Sequence, residues 1–290
     1  MISSLKTLFE HPYNKKRPFY ALLRFIYWKL MRLFKIKNQK YSLWKDKCII
    51  VSFDSFQSMW VLYNYIIDWE EFNLIAKLLK SNDCAFDIGA NMGVYTIWMS
   101  KFINQDGEIH SFEPDSENFN KLTTHISINS IKDRTYANNY ALGELVGYAY
   151  FTTTLDGENH ITEANKPDAF RVKVSTLDQY VKTKRINFIK YMKIDVEGFE
   201  LSVLKGAVDL LRNKKILIIQ LEINQTVSNS NTKIESLVNY LSLHSYRLCE
   251  YRITENRVSP LKYSRERENY FAIANIDMVN NLLELEQIET

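Results

Sequence analysis

The stretch "CAFDIGANMGVYTIWMS", Cys84–Ser100, decides the fold. Its beginning is typical of a buried strand, and its end is typical of an amphipathic helix. Between them lie an acid, Asp87, and two glycines four positions apart, Gly89 and Gly93. Because glycine has no Cβ, the backbone there can turn tightly and approach a ligand closely. The stretch therefore predicts a ligand loop, followed by a helix whose free N–H groups face the ligand.

Strand and helix patterns alternate from Cys84 onward. The run "KKILIIQLEI", 214–223, is apolar nearly throughout, as in a parallel strand covered on both faces. The alternation predicts an α/β fold with an open, mostly parallel, Rossmann-like sheet and right-handed crossovers. Two strand-like segments without a helix between them, 246–253 and 270–275, predict an antiparallel C-terminal pair. The predicted strands are 84–88, 108–112, 135–140, 188–194 and 216–223, the helices are 93–103, 116–129, 199–211 and 231–243, and extra strand-like pieces lie at 147–154 and 171–175.

Charge divides the chain unevenly. Residues 1–45 contain eleven Lys or Arg and one acid, a net charge of +10, which leaves −7 on the remainder. Three scattered cysteines predict neither a disulfide framework nor a cysteine zinc site, and they favour a reducing compartment. We expect a basic amphipathic arm (1–45), an N-terminal hairpin and helix packed on the core (46–80), with the hairpin within 48–67, and a main domain (81–290).

The arm contains a predicted helix from Pro18 to Lys37, because proline suits the first turn of a helix. When residues 17–35 are wound at about 100° per residue, their basic side chains fall within an arc of about 140°, and most of the apolar ones lie on the other side, although Phe25 and Trp28 fall within the basic arc. The basic side chains are Arg17, Arg24, Lys29, Arg32 and Lys35. Such helices commonly lie in the headgroup layer of an anionic membrane. Residues 17–37 are therefore predicted to contact an anionic membrane surface. The alternative is a helix packed on the sheet or on a second subunit.

The spacing in the loop discriminates between ligands. A dinucleotide fingerprint is G-x-G-x-x-G, whereas this loop reads D-x-G-x-N-x-G. Asp87 would repel a pyrophosphate, but it suits the cationic groups of S-adenosylmethionine. Glu113 ends the next predicted strand, where an acid can accept both hydroxyls of a ribose, a feature shared with NAD enzymes. The two acids together favour S-adenosylmethionine, and the alternative is a tight strand-to-helix turn without a ligand.

A second acidic cluster follows the predicted strand 188–194. Asp195 and Glu197 are two positions apart, so they share a face of an extended segment. Either carboxylate could take the proton from an acceptor hydroxyl. Alternatively, Asp195, Glu197 and Glu222 could hold Mg²⁺ or another divalent cation, or the acids could merely favour the dipole of the next helix. His160, in the polar loop "DGENHITEAN", is a further candidate base or substrate contact.

Several motifs together resemble the FkbM family of S-adenosylmethionine-dependent methyltransferases. They are "FDIGANMGVYTIWMS", "IHSFEPDSENFNKLTTHISIN", "ALGE", "VSTLDQYV" and, most distinctively, "IKYMKIDVEGFELSVLKGA". The resemblance implies a Rossmann-like class I methyltransferase and O-methylation of a sugar, glycan or other hydroxyl-bearing molecule. It implies that the loop holds the methionine end, that Glu113 binds the ribose, and that the adenine lies near Ala141 and Leu142. The predicted cofactor contacts are Asp87, Gly89, Ala90, Asn91, Gly93, Glu113, Pro114, Ala141, Leu142 and Asp195.

Two other function classes compete with this interpretation. One is a nicotinamide-dependent oxidoreductase, against which the missing G-x-G-x-x-G counts. The other is a non-catalytic, membrane-associated binding module, which the intact loop disfavours. No nucleic-acid partner is expected, because the part of the chain after the arm is acidic overall. The sequence predicts a cytoplasmic protein, with peripheral attachment to the inner face of a membrane as an extension, and it leaves the acceptor, the metal dependence and the oligomeric state open.

Overall fold

The computed structural model describes residues 8–44, 46–151, 161–162, 170–223 and 231–288. The chain divides into two compact units, Met1–Asn73 and Leu74–Thr290. The predicted arm, residues 1–45, therefore belongs to the same unit as residues 46–73. No helix among the described residues is long and apolar enough to cross a membrane.

The first unit combines helices with a β-hairpin. The hairpin predicted within 48–67 is wrong in its extent, because residues 47–52 pair antiparallel with residues 38–43 of the predicted arm. Residues 56–64 are helical instead, and the Ser55 side chain caps this helix by accepting a hydrogen bond from the Ser58 N–H (3.4 Å). The elements are α1 (Pro12–Lys15), α2 (Pro18–Leu33), β1 (Asn38–Leu43), β2 (Lys47–Ser52), α3 (Phe56–Asn64) and α4 (Trp69–Leu78), of which α4 crosses into the second unit.

Helix α2 begins at Pro18 as predicted and ends at Leu33, four residues before the predicted end. Its buried face is the one that carries Ala21, Arg24 and Trp28. The Trp28 ring packs on aromatic rings of the same unit, and the largely apolar opposite side of the helix is exposed. The buried face of the helix therefore lies within the predicted basic arc, and Arg24 of that arc is buried.

The second unit contains an eight-stranded sheet of order β13-β12-β14-β11-β10-β3-β4-β5. The strands β11, β10, β3, β4 and β5 pair parallel to one another, which confirms the predicted Rossmann-like α/β fold. Their bounds are β3 (Cys84–Ile88), β4 (Glu108–Phe112), β5 (Thr135–Asn138), β10 (Ile189–Ile194) and β11 (Ile216–Glu222), and the helices among and after them are α5 (Val94–Met99), α6 (Ser116–Ile128), α7 (Leu177–Lys184), α8 (Glu200–Lys205), α9 (Val208–Arg212) and α10 (Asn231–Leu243).

The C-terminal strands form the predicted antiparallel pair. Strand β14 (Asn269–Ile273) pairs antiparallel with β12 (Arg247–Arg252) and also with β11, so the last strand lies between two earlier ones. Strand β13 (Arg257–Pro260) extends the edge, and helix α11 (Ile276–Ile288) ends the described chain. A separate small sheet has the order β6-β9-β7-β8 and contains β6 (Ala141–Leu142), β7 (Gly147–Phe151), β8 (Ile161–Thr162) and β9 (Phe170–Ser175).

The strand order reverses between β3 and β10. From β3 the chain builds β4 and β5 on one side, and it later returns to place β10 on the other side of β3. In open α/β sheets such a reversal leaves a crevice beyond the carboxyl ends of the two strands, where ligands bind. The loops after β3 and β10 both begin at this crevice.

Candidate active site

A pocket lies beyond the carboxyl ends of β3, β4 and β10, as the strand order predicts. Its wall combines the glycine loop, the end of β4, the acidic turn after β10 and residues of the small sheet. The lining residues are Ile88, Gly89, Asn91, Phe112, Glu113, Pro114, Asn118, Tyr140, Ala141, Leu142, Phe151, Asp195, Val196, Glu197 and Phe199.

The glycine loop and the acidic turn touch each other. The Asp195 N–H donates to the Ile88 carbonyl oxygen (3.0 Å), so the turn after β10 lies directly beside the end of β3. Gly89 has φ +79°, and a Cβ built on it would lie 1.7 Å from the Asp195 carbonyl oxygen. Glycine is thus required at position 89 for two reasons: the backbone there is left-handed, and the turn after β10 comes too close to leave room for a Cβ.

Glu113 binds the glycine loop from the neighbouring strand. Its Oε2 accepts a hydrogen bond from the Asn91 N–H (2.7 Å), and its Oε1 accepts one from the Asp115 N–H (2.9 Å). Asn91 itself has φ +51°, a conformation that asparagine tolerates better than most residues. Burial raises the pKa of Glu113 to about 7, although both backbone hydrogen bonds oppose that rise. Each carboxylate oxygen retains a further lone pair for a ligand hydroxyl.

Asp87 is fully buried directly beneath the pocket wall. Its Oδ2 accepts hydrogen bonds from the backbone N–H (3.0 Å) and the hydroxyl (2.6 Å) of Thr96. Its Oδ1 has no hydrogen-bond partner among the described residues. Burial raises the pKa of Asp87, and the nearby Lys193 ammonium opposes that rise. An unfilled acceptor on a buried carboxylate fits a cationic donor from a bound cofactor.

Lys193 places a buried positive charge between the two acidic motifs. It is opposite Asp87 in the register of β10 and β3, and its Nζ lies 2.7 Å from Asp195 Oδ2. Its Nζ also lies 4.6 Å from the centroid of the Tyr95 ring. Burial lowers the pKa of Lys193, but the carboxylates of Asp195, Asp87 and Glu222 outweigh burial and raise it. Lys193 therefore stays protonated and compensates the negative charge beneath the pocket.

The turn after β10 holds one non-glycine residue, Glu197, in a left-handed conformation at the pocket. Glu197 has φ +51° and Gly198 has φ +89°, so two consecutive residues lie in the left-handed region. Glu200 holds this turn, since its Oε1 accepts a hydrogen bond from the Gly198 N–H (2.9 Å). Burial raises the pKa of Glu200 to about 7, against the backbone hydrogen bonds that it accepts. The turn directs residues 195–197 to the pocket wall and keeps Glu200 away from it.

Most of the predicted site residues meet in this pocket. Gly89, Asn91, Glu113, Pro114, Ala141, Leu142, Asp195 and Glu197 line it, whereas Asp87, Ala90 and Gly93 do not. Ala90 belongs to an apolar cluster with α6, and a Cβ on Gly93 would meet the Leu122 side chain at 2.5 Å, so both residues fit the loop to the helix behind it. His160 lies outside the described residues.

The three predicted metal ligands do not converge. Among the described residues, the trio of potential ligand atoms that lie within 4.8 Å of one another is Cys84, Glu108 and His110. That trio occupies the amino ends of β3 and β4, the ends opposite to the pocket. At the pocket, Asp195 is already paired with the Lys193 ammonium. The donor set of Asp195, Glu197 and Glu222 therefore does not fit a divalent cation in this arrangement.

Sequence reasoning missed the aromatic and amide part of the wall. Tyr140, Phe151, Phe199 and Asn118 line the pocket in addition to the predicted residues. Asn118 had a local signal, because it lies in the first turn of the helix after Glu113, where the Asp115 side chain accepts its N–H. Phe151 had none, because only the pairing of β7 with β9 brings the small sheet together.

The chain matches a family model and is similar to several known proteins. The family described as Methyltransferase FkbM domain matches residues 87–253, more than half of the chain. The chain is 23% identical to "Hexuronic acid methyltransferase AglP" of Haloferax volcanii over 171 residues, 58% of this chain and 67% of that protein. Among solved structures, it is similar to Methyltransferase FkbM from Methylobacillus flagellatus (16% identity, TM-score 0.45, 75% of this chain and 53% of that one). It is also similar to an S-adenosylmethionine-dependent O-methyltransferase from Thermotoga maritima (10% identity, TM-score 0.38, 70% of this chain and 62% of that one).

The family match begins at Asp87 and contains the glycine loop, Glu113, the acidic turn and the strand pairs that bring them together. The family match agrees with the resemblance that the motifs carry, and the nicotinamide alternative is not supported by it. This chain therefore belongs to the FkbM family of methyltransferases, whose methyl donor is S-adenosylmethionine.

Proposed function

We propose that this protein transfers the methyl group of S-adenosylmethionine to a hydroxyl of a sugar, glycan or glycolipid. The observation that carries the proposal is a single pocket lined both by Glu113 and by the carboxylates Asp195 and Glu197. The first suits the ribose of the cofactor, and the other two suit an acceptor hydroxyl. The name of the Haloferax volcanii relative supports a uronic acid among the candidate acceptors.

The cofactor would supply an activated methyl group on a cationic sulfur. In our proposal, the Glu113 carboxylate accepts hydrogen bonds from the ribose hydroxyls. The Asn91 N–H donates to this carboxylate and keeps it oriented. Ala141 and Leu142 give the adenine an apolar wall. The unfilled Oδ1 of Asp87 supports its predicted role toward the methionine ammonium.

The acidic turn would provide the base and the orientation of the acceptor. The Lys193 ammonium lies 2.7 Å from Asp195 Oδ2 and forms an ion pair with it, so this carboxylate is already held in place. Asp195 therefore orients the acceptor hydroxyl, and Glu197 on the same wall takes its proton. Because the carboxylates already have a lysine as counter-ion, the proposed reaction needs no divalent cation, and activity should survive complete chelation by EDTA.

The test is product identification. The protein is incubated with labelled S-adenosylmethionine and a panel of uronic acids, neutral glycosides and glycolipids, and the methylated atom is located by mass spectrometry and NMR. We expect methyl ethers on a hydroxyl-bearing acceptor. Cofactor binding without methylation of any acceptor on a broad panel would contradict the proposed substrate class. A shift in stability with NADH, and none with S-adenosylmethionine, would contradict the family chemistry.

We also propose that helix α2 contacts an anionic membrane. Its exposed apolar side includes Leu30 and Leu33 (73% exposed), and Phe34 (67% exposed) follows directly after the helix. The exposed Lys29 and Arg32 lie on the adjoining side. Contiguous exposed apolar surface of this kind marks an interaction site. Each Lys or Arg near an anionic bilayer contributes about 1 kcal/mol, and salt weakens that attraction.

Vesicle flotation tests the membrane contact with a matched pair of variants. Leu33→Glu should abolish flotation with anionic vesicles at low salt. Leu243→Glu, at an exposed position of the second unit (81% exposed), should leave it unchanged. Equal flotation of both variants, or no flotation of the unmodified protein, would contradict the membrane proposal.

A further inference from the structure

A second concave site lies within the first unit, apart from the methyltransferase pocket. It is an open groove of about 570 Å³, and five tyrosines and two arginines contribute to its wall. Volumes of this size are typical of small-molecule sites. No family motif includes these residues, because the match begins only at Asp87. The groove therefore has no role in the function proposed so far.

Arg24 is the unusual feature of the groove, because it is a buried cation for which the described residues supply no carboxylate as counter-ion. It is 9% exposed. Its Nε donates to the Tyr63 carbonyl oxygen (3.3 Å), and its Nη2 donates to Asn14 Oδ1 (2.6 Å). Among the described residues, no carboxylate pairs with Arg24, and its Nη1 has no acceptor. Burying a charge without an opposite charge is costly, so the arrangement suits an anion bound in the groove.

Arg17 adds a second cation at the same wall. Its guanidinium lies 4.5 Å from the centre of the Tyr13 ring, and Tyr13 stacks on Tyr65 with ring centroids 5.1 Å apart. The Arg24 guanidinium lies 5.7 Å from the centre of the Tyr13 ring and 5.6 Å from that of the Tyr65 ring, so both arginines border one aromatic surface. Proteins hold a charged, ring-shaped ligand with two elements. Guanidinium groups bind its oxyanion, and a flat aromatic face packs against its ring.

The position of Tyr65 is fixed by a strained backbone. Its φ of +63° and ψ of −47°, together with a hydrogen bond from the Ile66 N–H to the Asn64 carbonyl oxygen (2.7 Å), describe a classic γ-turn, which is rare and strained. Trp44 holds both ends of the residue: its backbone N–H donates to the Tyr65 hydroxyl (3.0 Å), and its indole N–H donates to the Tyr65 carbonyl oxygen (2.8 Å). Strain that the surroundings maintain at a concave surface favours a functional site.

We propose that this groove binds an acidic sugar, with its oxyanion at Arg24 and Arg17 and its ring against the tyrosines. The choice of a sugar as the ligand rests on the proposed function, whereas the choice of an anion rests on the two arginines of the groove. The site would hold an anionic residue of the acceptor glycan, or a neighbouring anionic sugar, independently of the methyl-transfer pocket.

Calorimetry or NMR titration of the full chain tests the proposal with two probes that differ only at C6. Methyl glucuronide should bind, and methyl glucoside should bind at least about tenfold more weakly, because hydrogen bonds to charged groups are the stronger ones. Arg17→Gln and Arg24→Met should each weaken binding of the glucuronide by about tenfold or more. Arg32→Gln, an exposed arginine of the same helix outside the groove, should leave binding unchanged.

Controls keep the outcomes distinct. If Arg24→Met fails to fold, Arg17→Gln and the exposed Tyr20→Ala still test the groove, because neither side chain is buried. Equal affinity for the two glycosides, or glucuronide binding that neither groove variant weakens, would overturn the proposal. Binding of glycerol 3-phosphate in place of the glucuronide would overturn the assignment to a sugar. S-Adenosylmethionine binding, measured on the same samples, tests the methyltransferase function separately, because the groove residues do not line that pocket.

Discussion

The two ends of strands β3 and β4 carry polar clusters that are built in opposite ways. At the carboxyl ends, Gly89, Asn91 and Glu197 have positive φ, and Asp87 Oδ1 lacks a partner among the described residues. At the amino ends, His110 contacts the Tyr180 hydroxyl through Nδ1 (2.8 Å) and Glu108 Oε2 through Nε2 (3.0 Å). One cluster has strained backbone and an unfilled acceptor, whereas the other has both nitrogens of its histidine satisfied.

Titration separates the two ends further. Burial raises the pKa of Glu113 at the carboxyl end to about 7, so this carboxyl changes charge near neutral pH. Burial and the nearby Lys184 lower the pKa of His110 at the amino end to about 3, so that imidazole is neutral at neutral pH. Groups that titrate near the working pH cluster at functional sites. The comparison teaches that polar burial alone does not identify the site, whereas strain, unfilled acceptors and titration near neutrality together do.

The largest expected effect comes from placing a side-chain atom at the contact between the glycine loop and the acidic turn. Gly89→Ala places a Cβ 1.7 Å from the Asp195 carbonyl oxygen at φ +79°, so we expect a loss of about 3 kcal/mol in the free energy of unfolding and loss of cofactor binding. Urea unfolding and calorimetry measure the two effects. Gly147→Ala is the matched control, because its Cβ would meet no atom within 4 Å. Equal stability of the two variants would mean that the loops are not held together as described.

The next largest effect concerns the acidic turn. Glu197→Gln should lower kcat by about 10² or more, because the proposed base is lost, and S-adenosylmethionine should still bind. Asp195→Asn should also lower kcat and raise KM for the acceptor, because it removes the orienting carboxylate next to Lys193. Glu108→Gln at the amino end is the control and should leave both constants unchanged. Unchanged kcat in Glu197→Gln would remove this residue as the base.

The carboxyl-end cluster was largely predictable from sequence, because its parts are local. Strands β3 and β4 occupy the predicted residues 84–88 and 108–112, and each ends directly before its acidic or glycine motif. Parallel strands bring their carboxyl ends to one edge, so Gly89, Glu113 and Asp195 had to lie close together. The bounds of these two strands, which follow from local sequence periodicity, were thus predicted to the residue.

The remaining features depend on contacts between distant segments. The helix predicted over 199–211 is two helices, α8 and α9, and a Cβ on Gly206 between them would lie 2.0 Å from the Gly143 carbonyl oxygen. This contact joins the "ALGE" and "LKGA" motifs, which are far apart in the sequence. Likewise, no pattern in 270–275 shows that β14 inserts between β11 and β12. The aromatic segment 56–64 has strand-like composition, and tertiary packing makes it a helix.

A pH profile sharpens the comparison with a smaller effect. The pKa of Glu113 is about 7 without ligand, and ribose hydroxyls would donate to its ionised form. Binding at lower pH must therefore release a proton, so the affinity for S-adenosylmethionine should fall below pH 7, by at most about tenfold per pH unit. Calorimetry from pH 5.5 to 8.5 measures this slope.

The variants assign the slope to one carboxyl. Glu113→Gln should bind more weakly and show a flatter profile. Glu200→Gln should keep the slope, because Glu200 also has a pKa of about 7 but accepts the Gly198 N–H outside the pocket lining. A slope that persists in Glu113→Gln would assign the proton to another group and weaken the assignment of Glu113 to the ribose.

The smallest expected effect is at the amino ends, where Glu108→Gln should change the free energy of unfolding by no more than about 0.5 kcal/mol. The Glu108 side chain is 43% exposed, and an amide oxygen can still accept the His110 Nε2–H. The pKa of His110 is lowered from 6.5 to about 3, so the folded protein binds fewer protons than the unfolded chain between these values, and His110 lowers stability as pH falls below 6.5. Since His110 is neutral from pH 5.5 to 8, its contact with Glu108 is a hydrogen bond rather than an ion pair. The difference between the variant and the unmodified protein should therefore be the same at pH 5.5 and pH 8 in urea unfolding. A cost that grows toward pH 5.5 would mean a protonated His110 paired with Glu108, and the amino ends would then be tuned electrostatically like the carboxyl ends.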